Sequence, residues 1–427
     1  MPDISVHPEF DFERNLSAQT LTLLRIVSEA ASARHLPLYL VGGFVRDMML
    51  NIPATDFDLV VEGDAITLAK ALAAQYGGRV TAHVRFGTAQ WFRPDSDGQV
   101  LDFSSTRSET YKHSGALPTV IPGGLHDDLV RRDFTINTLA LRLDGAHWGE
   151  LHDELDGLDD LKGGLVRVLN SHSFRDDPTR LFRAVRYEQR YGFQIAPETL
   201  MLIPPARALV GSLSAERLRH ELDLILNEEK AVAMLKRLAE LDLLQPVHPA
   251  LAWSDQKRER FINGWRMARV GSIKSIPAPA ERNFLNWHFW LLDLPVDGIE
   301  SLEQRLHFHA KLQGSLLAAS ALLTDLPSLI KIKPSQCVAR LEGLPLSAVY
   351  AVCLSVPDGQ ARQNLINYLE NWRHVKPKTN GHHLQNRGLP PGPRYQKVLS
   401  RLRQAWLDGE VGTEAEEMKL LEKLMKM

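Results

Sequence analysis

The feature that most constrains this chain is where its strand signals stop. Between about residues 36 and 168, short β-branched and aromatic runs alternate with glycines, and Leu38–Val41, Phe57–Val61, Arg79–His83, Val100–Ser104, Leu139–Leu143 and Leu165–Leu169 read as strands. Among them, Ala65–Tyr76 has helical spacing and runs into the stop signal Gly77-Gly78. After about residue 172 the strand signals fade. Leu181–Tyr191, Ala215–Asn227 and Lys230–Leu241 carry apolar residues at helical spacing, and the aromatic-rich stretch Trp253–Trp290 also reads as helical. Breaks fall near Pro277–Pro279, Pro327 and Pro334, and a loop with Pro, Gly and His, Lys376–Pro393, separates two late helices. Such a chain predicts an α+β head, a small mixed sheet with flanking helices, followed by an elongated all-α body. The expected division is a helical extension over 1–35, where Ser17 precedes the apolar series Leu21, Leu24, Ile26 and Val27. A head over 36–170, a neck over 171–235, a body over 236–335 and a tail over 336–427 follow. There is no internal repeat.

Composition narrows the class. At 427 residues the chain exceeds a single core. No apolar run approaches a membrane span, and the acidic, polar stretch from Met1 to Arg14 lacks the basic and apolar regions of a secretion signal. Two cysteines, Cys337 and Cys353, exclude a disulfide framework and a four-cysteine zinc site, so two buried thiols in a reducing cytoplasm are expected. The net charge of −2 means that nucleic-acid binding needs a local basic face.

The chemistry concentrates early. Leu40-Val41-Gly42-Gly43-Phe44-Val45-Arg46-Asp47 reads as strand, tight turn and helix. Gly42 and Gly43 let backbone approach a phosphate, and Arg46, one turn into the helix, can neutralise its charge. Asp56-Phe57-Asp58 then opens an apolar run. Carboxylates two apart on a strand leave the same face and repel unless a cation lies between them, and hard divalent cations such as Mg²⁺ take oxygen ligands. A third carboxylate, Asp102, sits in Val100-Leu101-Asp102-Phe103. With Asp56 and Asp58 as metal ligands and Asp102 beside them, three acids on adjacent strands can hold two metals for phosphoryl chemistry.

These segments resemble the DNA polymerase β-like nucleotidyltransferases, and most of all the class II tRNA nucleotidyltransferase and bacterial poly(A) polymerase family. Three further segments match that family in order, and the resemblance is strong over about residues 36–230. Arg131-Arg132-Asp133-Phe134-Thr135-Ile136-Asn137 is similar to its ribose-recognition segment, which implies that Arg132 meets the triphosphate and Asp133 a ribose hydroxyl. Asp176-Asp177-Pro178-Thr179-Arg180, with Arg183 and Arg186, is similar to its base-reading segment. There Asp177 and Arg180 act together as a protein template, and Arg180, Arg183, Arg186 and Arg190 fall on one helical stripe opposite Leu181, Phe182 and Val185. Ala215-Glu216-Arg217-Leu218-Arg219 opens a later helical motif. The hinge departs from the family: Asp153-Glu154-Leu155-Asp156-Gly157-Leu158-Asp159-Asp160-Leu161 has Glu154 and Asp156 where proline and a small turn residue are usual.

The resemblance implies template-independent addition of CCA to the 3′ end of tRNA from CTP and ATP by a two-metal Mg²⁺ mechanism. Related activities, CC-only, A-only or poly(A) addition, share these residues. Intact Asp56, Asp58 and Asp102 argue against a catalytically silent RNA-binding scaffold, and the region after the neck lacks the His-Asp pair of a phosphohydrolase. The expected partners are a tRNA acceptor arm and nucleoside triphosphates, with no membrane. Lys376, Lys378 and Arg387, beside His382 and His383, and then Arg394, Lys397, Arg401 and Arg403 form the candidate RNA face. The run Gly388-Leu389-Pro390-Pro391-Gly392-Pro393, with Ala405 to Gly409 beyond it, resembles the tail of bacterial members.

Overall fold

A computed structural model describes residues 12–53, 57–94, 100–110, 119–269 and 282–426. The chain divides into two compact units, residues 1–217 with 240–246 and residues 218–239 with 247–427.

The first unit is built on a seven-stranded mixed sheet. Its strands are β1 (Leu38–Val41), β2 (Asp58–Val61), β3 (Arg79–His83), β4 (Thr88–Phe92), β5 (Val100–Ser105), β8 (Ala140–Arg142) and β9 (Glu150–His152), in the order β3-β4-β5-β2-β1-β8-β9. The intervening β6 (Arg107–Thr110) and β7 (Thr119–Pro122) form a separate antiparallel pair. Leu38-Tyr39-Leu40-Val41 is buried at every position because β1 is paired on both edges and covered on both faces. Among the described residues, β2 with β5 is the parallel pairing in this sheet and the others are antiparallel. That pairing requires a crossover, which α3 (Ala65–Tyr76) begins. Asp64 caps α3 by accepting from the amides of Ile66 and Thr67, and the helix stops at Gly77, whose φ of +80° suits glycine. On one side of the sheet Tyr39, Val41, Val60 and Ala140 pack against Leu125 and Leu129 of α4 (Leu125–Val130), and α5 (Gly157–Gly163) follows β9.

Four expectations change in detail. Strands β4, β6, β7 and β9 add to the predicted set, and a two-residue parallel pair, β10 (Leu165–Val166) with β11 (Gln194–Ile195), carries strand structure past residue 172. Within the described residues the stretch 253–290 contains two helices, Asp255–Arg269 and Arg282–Leu291, the break expected near Pro277–Pro279 lies outside the described residues, and the loop Lys376–Pro393 contains a short helix, Gly381–Asn386. α1 (Ala18–Ser32) is capped by the Ser17 hydroxyl as expected.

The second unit is helical throughout its described residues. Trp287, Phe289, Trp290 and Phe261 are essentially inaccessible and make its aromatic core. Near its end, Leu384, Leu389, Val398, Leu402 and Leu421 join the helices Gly381–Asn386, Pro393–Leu407 and Glu414–Lys426 around a small apolar cluster. Glu417 is wholly buried there and accepts from the amides of Lys378 and Thr379, the Thr379 hydroxyl and the Trp406 indole. Among the described residues no single helix is long and apolar enough to cross a membrane.

Candidate active site

The first test of the sequence reading is the placement of its carboxylates. Asp58 opens β2 and Asp102 lies in β5, and the parallel register makes them direct partners, so both side chains leave the same face of the sheet. Both are exposed. Adjacent strands lie about 4.8 Å apart, close enough for two carboxylates to repel and for one cation to bridge them. Their oxygens suit a hard divalent ion. Asp56, the third predicted acid, lies outside the described residues. Two neighbours fix this corner. Phe57 is buried against Phe44, ring centroids 4.6 Å apart, which anchors the backbone just before Asp58. Gln90 on β4 is the antiparallel partner of Asp102, and its amide donates to Asp102 Oδ1 at 2.8 Å. Trp91, one residue on, is buried on the opposite side with its indole bonded to the Gly77 carbonyl, and this sets the face that Gln90 takes.

The glycine turn lies beside β1. Gly42 has φ +70°, which suits glycine, and a Cβ there would come within 2.7 Å of Arg132 Nη1 and displace the guanidinium. α2 (Gly43–Met49) follows with no side-chain cap. Arg132 is held by Asp128 Oδ2 at 2.9 Å, while Arg131 bonds the other oxygen of this wholly buried carboxylate and reaches Glu109. Arg132 Nε is buried with no hydrogen-bond partner. Arg46 is placed differently from its predicted partner set: it is 3% exposed, with its guanidinium on Asp47, Asn137 and the rings of Tyr187 and Tyr191.

The predicted base-reading segment forms a short helix α6 (Ser173–Asp176), a bend, and α7 (Arg180–Tyr191). Asp177 stands in the bend and accepts from the Thr179 amide and hydroxyl at 3.0 and 2.7 Å and from Arg217 at 2.6 Å. Arg180 is buried and donates to the Ser173 hydroxyl at 2.6 Å and the Arg131 carbonyl at 2.7 Å. The Arg180 amide donates to the Asp177 carbonyl at 3.1 Å, but the side-chain hydrogen bonds of the two residues go to other partners. Arg183 donates to Asp133 at 2.7 Å. Burial pushes the Asp133 carboxyl up, but Arg183, the Asn137 amide and Arg180 outweigh it and hold the pKa at about 2. Arg186 is buried with Nε unpartnered. Of the arginine stripe, Arg180 and Arg186 are thus interior, Arg183 is half-buried against Asp133 and Tyr187, and Arg190 is exposed. Gln90, Arg217, Tyr187 and Tyr191 escaped the sequence reading. Only Arg217 carried a signal, its place in the Ala215–Arg219 motif.

In the hinge, Asp153 accepts from the amides of Gly157 and Leu158, while Asp156 adopts φ +55°. Gly157 is required because a Cβ would meet the Thr135 carbonyl at 2.4 Å. In the second unit Lys376, Lys378, Arg387, Arg394 and Lys397 are all exposed around the late apolar cluster, with Arg394 reaching the Met425 carbonyl. A cavity of about 820 Å³ in the first unit, lined by Asp64, Lys70, Arg85 and Arg107 beyond the C-terminal ends of β2 and β5, contains none of the predicted site residues.

A carboxylate pair on a mixed sheet, a glycine turn packed on an arginine, and a following arginine-rich helix define a nucleotidyltransferase head. The sequence matches the poly(A) polymerase head domain over residues 38–167 and the probable RNA- and SrmB-binding site of polymerase A over residues 192–254. It is 34% identical to an A-adding tRNA nucleotidyltransferase of Geobacter sulfurreducens over 96% of this chain, though it spans only about half (48%) of that protein. An A-adding tRNA nucleotidyltransferase of Halalkalibacterium halodurans is 32% identical, with 90% of this chain and 88% of that protein covered. Among solved structures, an apo CCA-adding enzyme superposes with a TM-score of 0.81 at 28% identity, covering 97% of this chain and 98% of that one. A Thermotoga maritima CCA-adding enzyme complexed with tRNA gives 0.75 at 28%, covering 97% of each. The chain belongs to the tRNA nucleotidyltransferase and poly(A) polymerase family.

Proposed function

We propose that this chain transfers nucleotides, without a nucleic-acid template, to the 3′ end of tRNA, and that the terminal adenosine is among them. Adenosine is the addition common to the A-adding relatives and the CCA-adding structures. The observation that carries the reading is the register pairing of Asp58 with Asp102 on one exposed face. The tRNA 3′ hydroxyl attacks the α-phosphate in line, and pyrophosphate leaves. Asp58 and Asp102, with Asp56, would hold Mg²⁺, which when bound lowers the pKa of the attacking hydroxyl and neutralises phosphate charge. Gln90 orients Asp102 by its 2.8 Å hydrogen bond. Gly42, Gly43 and Arg132 receive the triphosphate, Asp133 the ribose, and Asp177 with Arg180, Arg183 and Arg186 the base. The exposed lysines and arginines of residues 376–397 contact RNA phosphates.

Full CCA addition is a second reading, favoured by the whole-chain similarity to CCA-adding enzymes, one of them bound to CTP. Transcripts of tRNA lacking one, two or three terminal nucleotides, given CTP and ATP separately, separate the two. Extension of only the tRNA that lacks its adenosine marks an A-adding enzyme, and stepwise use of CTP and then ATP marks CCA addition. No incorporation on any of the three overturns both.

A further inference from the structure

The Gly42-Gly43 turn predicts Arg46 as a phosphate ligand, yet its guanidinium closes a circuit of protein contacts. Arg46 Nη1 donates to Asn137 Oδ1, and Asn137 Nδ2 donates to Asp133 Oδ1 at 2.8 Å. Arg183 Nε donates to Asp133 Oδ2 at 2.7 Å, and Arg183 Nη2 donates to the Tyr187 hydroxyl at 2.9 Å. The Tyr187 ring then lies 5.0 Å from the Arg46 guanidinium, which completes the ring of contacts. A second brace runs alongside. Tyr191 donates to Asp47 Oδ1 at 2.8 Å, the same oxygen accepts from Arg46 Nε at 2.8 Å, and the Tyr191 ring lies 4.7 Å from the guanidinium. A Cβ on Gly43 would meet Arg46 Nη2 at 3.3 Å, so this knot sits directly beneath the turn. Three separate segments meet here: α2, the residues 133–137, and α7.

A planar, five-donor cation is suited to this place. It bonds an amide and a carboxylate in its plane while two aromatic rings contact it, which a lysine ammonium cannot reproduce. A cation so desolvated is costly unless every contact is made, so the geometry of all three segments is tied to it. We infer that Arg46 is a positioning residue that locks the base-reading helix α7 to the Gly42-Gly43 turn and thereby sets which base is accepted, in place of binding the triphosphate. The inference rests on the nucleotidyl-transfer reading above.

The test is Arg46→Lys in the full chain, with kcat and KM measured for ATP, CTP, GTP and UTP on the tRNA that the wild type extends. Discrimination between the preferred and other triphosphates is expected to fall about tenfold, the order of coupling within one hydrogen-bond network. KM for the preferred triphosphate should stay within about twofold of wild type. A parallel rise of KM for all four with unchanged discrimination would make Arg46 a phosphate ligand and overturn the inference, as would no change in either quantity. If Arg46→Lys fails to fold by circular dichroism, Tyr191→Phe, which removes only the bond to Asp47, decides: weakened base choice supports the inference and unaltered choice overturns it. A wild type that extends no tRNA removes the underlying reading instead.

Discussion

α7 in the first unit and the helix Arg282–Leu291 in the second are both largely buried, but they bury different chemistry. α7 takes Arg180, Arg186 and Glu188 into the interior beside Leu181, Phe182 and Val185. Its neighbours are ionised too, with Asp133 held near pKa 2 by the arginines around it. The helix Arg282–Leu291 buries only neutral polar groups among its tryptophans. Asn286 bridges the Leu226 carbonyl and the Trp265 indole, and His288 bonds the Phe284 carbonyl and the Ser315 hydroxyl, each at 2.8 Å or less. Burial pushes the His288 imidazole down to about 4, so it is neutral at ordinary pH. Buried ion pairs are a poor way to stabilise a fold, since apolar side chains of similar size usually do as well or better. The first unit keeps them around the segments proposed to meet the triphosphate and the base. The second unit buries charge as well, at Lys257, Arg362 and Glu417, but the helix Arg282–Leu291 buries none.

The contrast can be broken by removing one centre from each unit. Asp133→Ala leaves Arg183 and Asn137 without their shared acceptor and is expected to destabilise the protein by about 3–5 kcal/mol, the usual result of orphaning a buried charge. His288→Ala should cost less, about 1–3 kcal/mol, because it removes one bond each from the Phe284 carbonyl and the Ser315 hydroxyl, and the hydroxyl keeps Ser347 as a partner. Urea unfolding followed by tryptophan fluorescence measures both. Equal costs would erase the distinction.

Acid sharpens it. His288 has a folded pKa of about 4 against an ordinary 6.5, so the unfolded chain binds the proton first and stability falls as pH drops from 6.5 to 4. The loss is about 3 kcal/mol at 1.36 kcal/mol per unit. Asp133 is depressed from 3.8 to about 2, so its contribution is intact above pH 4 and disappears as pH falls through 2, for about 2 kcal/mol. His288→Gln should flatten the upper window only. A change in the lower window alone would reverse the assignment.

The smallest expected effect lies at the carboxylates. Gln90→Ala removes one hydrogen bond to Asp102 and should raise the Mg²⁺ concentration for half-maximal incorporation about tenfold, the usual consequence of losing a partner of a metal ligand. An unchanged Mg²⁺ requirement would leave Gln90 as an ordinary strand residue.

How much of this was readable beforehand follows from the range of the interactions. β1 and α3 were legible because each carries its own signal, an apolar run in one and an Asp cap with a double-glycine stop in the other. β4, by contrast, alternates Trp91 and Ala89 with Thr88 and Gln90 directly after a turn at Gly87, too short a run to stand out. β9 has three residues, two of them polar, and exists because β8 pairs with it. The site was legible as a list of side chains and not as a set of partners. The spacing of arginines on α7 gives a charged stripe, but the acid that draws Arg183 inward lies 50 residues earlier and the carbonyl that takes Arg180 lies 49 earlier. For the same reason the partners of Arg46 were hidden, since nothing local announces the two tyrosines that enclose it.

The most direct measurement is incorporation by Asp58→Ala with tRNA binding followed in parallel. If Asp58 and Asp102 act as one pair on the exposed face of β2 and β5, incorporation falls to background while tRNA is bound as tightly as by the wild type. Incorporation at the wild-type rate by that variant would contradict the account.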